Sequence, residues 1–206
     1  MRMYIPEIEP DGSFARRYLE DRERERKEPK HLPRLDDAYY RGGAFIHFTL
    51  GIEDRATGWL TPAFHQAWQL TLLHAAGRYQ LICPTYVLMP DHLHVFTVGV
   101  HEHADHLTAL EFLRRNLRSH LVPAKWQRQV YDHVLREYER ERGAFAGVAN
   151  YILENPVKEG LSASVRDYPS LGCCVPGYPE LDVAEPDYWE SFWRIHQRLW
   201  NPRGSE

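Results

Sequence analysis

The sequence predicts an α+β fold in which an antiparallel central sheet is flanked by helices. Three observations carry this expectation. Two apolar, β-prone runs, Gln80 to Met89 and His92 to Val98, are separated only by Pro90-Asp91, which suits a tight antiparallel hairpin. Other segments repeat apolar residues at intervals of three and four, the period of a helix with one buried face. The resulting order of strand, helix, hairpin, helix, short strand and helix is that of an antiparallel sheet covered by helices.

Each element has its own local cause. Gly42-Gly43 opens Ala44 to Leu50, a run of aromatic and β-branched residues that reads as the first strand. Thr61-Pro62 supplies an N-cap and a first-turn proline for a helix with Phe64, Trp68, Leu72 and Ala76 on one face, ending near Gly77. After the hairpin, Leu107, Leu110, Leu113, Leu117 and Leu121 define a second helix that also carries Arg114, Arg115 and Arg118. Gln127 to Leu135 is read as a short strand. A third helix spans Gly143 to Asn155, with Phe145, Val148, Ala149, Ile152 and Leu153 as its stripe, and Pro156 is expected to close it. A Pro- and Gly-rich stretch then leads to a last helix between Pro186 and Trp200.

The length of 206 residues suits one domain with extensions, and a hydrophobic fraction of 43% with 6 Trp, 12 Tyr and 8 Phe excludes wholesale disorder. We divide the chain into a charged N-terminal extension at 1–38, a central domain at 39–172 and an acidic C-terminal extension at 173–206. Ala15 to Lys30, nearly continuous in alternating charge, reads as a solvated helix or arm. No apolar run approaches the roughly 20 residues of a membrane span and the start lacks a secretory h-region, so a cytoplasmic protein is expected. Cys83, Cys173 and Cys174 form no disulfide framework or zinc spacing. The net charge of -4 argues at first against a nucleic-acid partner, but residues 159–206 alone carry four basic and eight acidic side chains. Residues 111–142 hold eight basic and five acidic ones, which leaves room for a local basic face.

The sharpest chemical feature is His92-Leu93-His94 inside a strand. Side chains at i and i+2 leave a sheet on the same face, so the two imidazoles form a two-nitrogen half-site for a metal while Leu93 and Val95 pack the other way. Such a half-site needs a third ligand. On the third helix, Tyr151 and Asn155 lie one turn apart on the flank of the apolar stripe, where Asn155 is placed to offer an oxygen and Tyr151 a phenol. Spacing alone leaves the alternatives open: Tyr151 as a rim aromatic, and Asn155 as a helix-end residue before proline.

Together these segments resemble one family. Pro90-Asp91-His92-Leu93-His94-Val95-Phe96, then Trp126-Gln127 with Tyr131-Asp132-His133-Val134-Leu135-Arg136, then Asn150-Tyr151-Ile152-Leu153-Glu154-Asn155-Pro156-Val157-Lys158-Glu159-Gly160-Leu161 are similar in order and spacing to the REP-associated tyrosine transposases, a branch of the single-tyrosine HUH transposases. Tyr39-Tyr40-Arg41-Gly42-Gly43 and Asp167-Tyr168-Pro169-Ser170 also fit, so the similarity runs from about Tyr39 to Leu171.

The resemblance implies a ferredoxin- or RRM-like HUH nuclease fold. It implies His92 and His94 as ligands of Mg²⁺ or Mn²⁺, Asn155 as the third ligand and Tyr151 as the nucleophile. It also implies action on single-stranded DNA bearing a hairpin, through a 5′-phosphotyrosine and a free 3′-OH. For contacts to the DNA we select Tyr39, Tyr40 and Arg41 for an unpaired flank, Arg114, Arg115, Arg118 and Arg128 for a basic side, and His133 for the DNA or the active site. The alternative from another class is a hairpin-binding protein, a repressor or nucleoid factor, that no longer cuts; a nuclease that hydrolyses with water is a third.

Other histidines receive plainer readings. His101, His103 and His106 are taken as a solvated polar loop. His47-Phe48-Thr49 matches half of a paired His-x-Thr phosphoesterase signature, but His94 is followed by Val95-Phe96, so no second copy exists and that reading fails. Tyr131 is the main rival nucleophile, without a ligand one helical turn away.

Overall fold

The computed structural model describes residues 35–137 and 143–200. The charged segment Ala15 to Lys30 and most of the N-terminal extension lie outside the described residues. After a 3-10 turn at Asp37–Tyr40 come β1 (Phe45–Ile52), α1 (Pro62–Arg78), β2 (Leu81–Leu88), β3 (His92–Gly99), α2 (His106–Leu117), β4 (Trp126–Val134), α3 (Ala144–Lys158), β5 (Leu171–Cys174) and α4 (Tyr188–Leu199). All adjacent pairs in the sheet are antiparallel, in the order β4-β1-β3-β2-β5. The first four strands with α1 and α2 thus make two interleaved strand-helix-strand units, the split βαβ arrangement of the ferredoxin-like fold. β5 adds an edge strand that the sequence reading did not anticipate.

The two faces of the sheet hold separate cores. Ile46, Phe48 and Leu50 of β1 and Leu93 and Val95 of β3 pack under α1 and α2, with Trp68, Leu72, Leu110, Leu113 and Leu117. Phe96 and Val98 of β3 pack against Phe145, Val148, Ala149 and Ile152 of α3 and Phe192 and Ile195 of α4. The segment after Cys173 therefore contributes buried surface through Tyr188, Phe192 and Ile195. Within this aromatic layer, Phe145 lies 5.1 Å from Phe96 and 4.6 Å from Trp193, ring centre to ring centre.

The caps follow the sequence. Thr61 accepts from the Phe64 amide at 3.1 Å and Asp105 from the Thr108 amide at 3.0 Å, each satisfying a first-turn donor. Pro156 does not close α3, which continues to Lys158. A proline this near the end forfeits one intrahelical bond without breaking the helix. The stop is Gly160, whose φ of +70° turns the chain so that its amide reaches Val157 O at 3.0 Å and the Leu161 amide reaches Pro156 O at 2.8 Å. His106 is likewise no loop residue. It begins α2 with 1% of its surface exposed, and its Nδ1 lies 2.8 Å from Thr97 Oγ1.

Two outcomes are expected from this packing. Gly99 leaves β3 directly against the Gly42 carbonyl, and a Cβ there would stand 1.8 Å from that oxygen. Gly99→Ala must separate two backbone segments and should cost about 1–3 kcal/mol or more in urea unfolding, with the midpoint falling at unchanged slope. Burial also holds His106 down to about 3 and His196 down to about 4. Their folded values lie below the ordinary one near 6.5, so the stability from keeping them neutral is complete above about pH 6.5. Each should remove up to about 1.4 kcal/mol per pH unit as pH falls from there towards its folded value. Unfolding midpoints measured from pH 7 to 4 should decline, and more shallowly in His106→Gln.

Candidate functional site

The site is built on the sheet face that carries α3. β3 alternates, so His92, His94 and Phe96 share that face, and the register sets Thr49 opposite His94 and His47 opposite Phe96. His92 and His94 turn their Nε2 atoms towards each other at 3.1 Å. The outer nitrogen of each ring is held. Asp91 Oδ1 lies 2.7 Å from His92 Nδ1, and His94 Nδ1 lies 2.9 Å from His47 Nε2 and 3.1 Å from Thr49 Oγ1. Asp91 is itself gripped by Arg55, whose Nε donates to Oδ2 at 2.6 Å. Burial tends to raise the Asp91 carboxyl, but the bonds from His92 and Arg55 outweigh it and hold the group below the usual carboxylate range. Asp91 stays an anion at neutral pH.

An ionised carboxylate only accepts, so the His92 Nδ1 beside it carries a proton, and in a neutral ring Nε2 then holds a lone pair. That fits a divalent ion. Two ligands at about 2.1 Å from one ion, subtending about 90–100°, stand about 3.0–3.2 Å apart, which is the separation of the two ring nitrogens. Among the described residues no group of three or more His, Cys, Asp or Glu is arranged to hold a metal. A cation here would complete its shell with neutral or phosphate oxygens, the preference of Mg²⁺ and Mn²⁺.

α3 brings the nucleophile candidate to the same place. The half-buried Tyr151 ring lies 5.6 Å from the His94 ring and 6.1 Å from that of His47. Lys158 Nζ stands 5.7 Å from the Tyr151 ring centre and pairs with Glu154 at 2.8 Å, so an ion-paired cation flanks the ring. Asn155, 3% exposed, bonds within its own helix, its Nδ2 2.8 Å from Tyr151 O. A carbonyl only accepts, so the atom beside it must be the amide NH₂, and Oδ1 is left as the acceptor end of the side chain.

The other sequence candidates scatter. Tyr40 is a correction: it has no exposed surface and its hydroxyl donates to Asp132, so its ring cannot stack on a base in this conformation. Tyr39 is 53% exposed. Arg41 pairs with Asp105 at 3.1 Å. Arg114 ties α2 to β4 by donating to Gln127 O at 2.6 Å, a structural bond, while Arg115 and Arg118 are exposed on and just after α2, across the sheet from His94. Arg128 is exposed on the edge strand β4. His133 faces His47 in register, and Tyr131 faces Thr49, one strand farther from His94. The rival tyrosine thus stands two strand spacings, about 10 Å of backbone, from the histidine pair.

Asp91 and His47 are the residues that sequence reasoning missed. An aspartate directly before His-x-His in a tight turn was a signal for the first. His47 had none, because only the β1–β3 register brings it to His94.

No protein-family model matches the chain. A Haemophilus influenzae protein named "Putative REP-associated tyrosine transposase" is 24% identical over 149 residues, 64% of this chain and 80% of the relative. The solved structure of a REP-associated tyrosine transposase bound to a REP hairpin superposes with a TM-score of 0.57 at 20% identity, over 69% of this chain and 81% of that one. The sequence relative carries the name of the family that the motifs resemble, and the solved structure shares the fold. No helix of the described residues is long and apolar enough to cross a membrane.

Removing the Tyr40 hydroxyl should test its structural reading. Tyr40→Phe leaves the half-buried Asp132 carboxylate without that donor and should cost about 1–3 kcal/mol in chemical unfolding, whereas a DNA-contact role alone would leave stability unchanged.

Proposed function

From this likeness in motifs, sequence and fold, we propose that the chain is a metal-dependent endonuclease and strand transferase acting on single-stranded DNA with hairpin, REP-like elements. The observation that carries the reading is the Tyr151 ring set 5.6 Å from His94 on the face where two imidazole nitrogens converge. His92 and His94 would hold Mg²⁺ or Mn²⁺ through Nε2, with Asn155 Oδ1 as the third ligand. Bound there, the ion supplies Lewis-acid polarisation of the scissile phosphate and of the departing oxygen.

Tyr151 Oη attacks phosphorus. The new Oη–P bond forms as the P–O3′ bond breaks, the phenol gives up its proton, and the departing 3′ oxygen takes one up to leave as a hydroxyl. The 5′-phosphotyrosine keeps the ester bond, so the strand can be rejoined by a 3′-OH. Lys158, paired with Glu154, places a positive charge beside the Tyr151 ring. Asp91 keeps His92 oriented throughout. The exposed Tyr39, Arg115, Arg118 and Arg128 remain candidates for base stacking and phosphate contact.

Tyr151→Phe removes only the attacking oxygen. Incubated with hairpin-bearing single strands and Mn²⁺, the variant should bind DNA within about twofold of the parent, while adduct and free 3′-OH on denaturing gels fall at least about a thousandfold. The His92→Ala/His94→Ala double variant should also form no adduct. Cutting by Tyr151→Phe, or an adduct mapped to Tyr131 by mass spectrometry, would refute the assignment. Tight hairpin binding by a parent chain that never forms an adduct would instead identify a binding protein without cleavage activity.

A further inference from the structure

We propose that Gln127 is a specificity-determining residue whose carboxamide hydrogen-bonds the edge of a nucleobase beside the cleaved phosphodiester, an inference that rests on the strand-cleaving reading given above. The register of β4 supplies the geometry. Ile52 pairs with Trp126 and Leu50 with Val130, so Gln127, Arg128 and Gln129 all stand opposite Gly51 alone. Such a bulge bends its strand and re-aims a side chain, and bulges recur next to active sites for that reason. This one is anchored from behind. Trp126, packed in the layer of α1 and α2, donates from Nε1 to Arg114 O at 3.1 Å, and Arg114 donates in return to Gln127 O at 2.6 Å.

Gly51 lies between Leu50 and Ile52, which face the α1 and α2 core, so its own position belongs to the opposite face, that of His47 and Thr49. Its register partner is His92. The Gln127 side chain lies across this glycine: a Cβ at residue 51 would stand 2.2 Å from Oε1 and 2.6 Å from Cδ. Register partners in an antiparallel pair have Cα atoms about 4.5–5.5 Å apart, so the carboxamide rests over the immediate neighbour of His92. That is the face where the two imidazole nitrogens converge.

A carboxamide is neutral and carries a donor and an acceptor side by side. A phosphate only accepts, so it would use the NH₂ group and meet Oε1 with repulsion. A base edge uses both groups at once, as in the bidentate pairing of Gln with adenine. Among the described residues the Gln127 side chain makes no hydrogen bond, which leaves both groups for a ligand. The residue is half-buried, so an edge that matches only one group leaves the other partly desolvated and unpaired.

A double-mutant cycle between protein and DNA tests the contact. Hairpin-bearing single strands are made with an abasic site at each nucleotide flanking the cleavage position in turn, which removes one base and keeps every phosphate. With Mn²⁺, adduct formation by the parent should slow about tenfold or more at one of these positions. Gln127→Leu should be slower on the intact strand by a similar factor, and base removal at that position should then change its rate less than about twofold. Damage to the fold or to the histidine pair would slow both strands alike and keep the parental ratio between them.

Gly51→Ala keeps the carboxamide but places a methyl group where it lies, and what must move is the end of a flexible side chain. It should fold and lose the same ratio, which decides the question should Gln127→Leu fail to fold. A parental ratio in either folded variant overturns the proposal, as does a parent indifferent to base removal at every flanking position. A parent that forms no adduct on any strand refutes the strand-cleaving reading itself, and this role with it.

Discussion

Strand β3 is paired along both edges, to β1 on one side and β2 on the other, and this double pairing is the constraint on which the rest of the site depends. A strand held on both sides cannot slip by one residue without turning every side chain to the wrong face. Leu93 and Val95 lock the parity from below by filling the core under α1 and α2, and Phe96 and Val98 lock it from above. The histidines gain their alignment from apolar neighbours that take no part in chemistry. The convergence of the two imidazoles here follows from hydrophobic burial in the same strand.

That dependence also explains what could be read in advance. The hairpin, the three helices around it and the facing of His92 and His94 follow from local periodicity, which sequence displays directly. Tyr151 and Asn155 were legible as neighbours on one helix, and only the family resemblance suggested roles for them. What sequence hid was non-local. His47 reaches His94 through strand register, Arg114 reaches the Gln127 carbonyl through helix-to-edge packing, and Tyr40 is buried against Asp132 from 92 positions away. The polar segment around His101 misled for the opposite reason. Its composition is that of a loop, yet His106 is drawn into the core because Thr97 on the inner face of β3 offers it a partner.

Polar groups in the site form a chain of contacts. Arg55 holds Asp91, Asp91 holds His92, and His92 meets His94, which leans on His47. Each link fixes the direction of the next, so orientation set by a surface arginine is carried inwards to fully buried imidazoles. The exposed arginines of α2 stand apart from this chain, on the far side of the sheet. A substrate touching both would have to pass around an edge, and β4, with Arg128 and Tyr131 exposed, is such an edge.

The sheet also divides the tryptophans. Trp59, Trp68 and Trp126 belong to the layer of α1 and α2, whereas Trp189 and Trp193 lie on α4 with Trp200 just beyond its end, against Gly43. The chain thus carries two groups of tryptophan reporters divided by one sheet. Emission from the second group follows the seating of the aromatic layer that backs α3, the helix bearing Tyr151. Replacing Trp59, Trp68 and Trp126 by phenylalanine would leave a chain whose remaining fluorescence reads out, without any label, how firmly the tyrosine-bearing helix is clamped to the sheet.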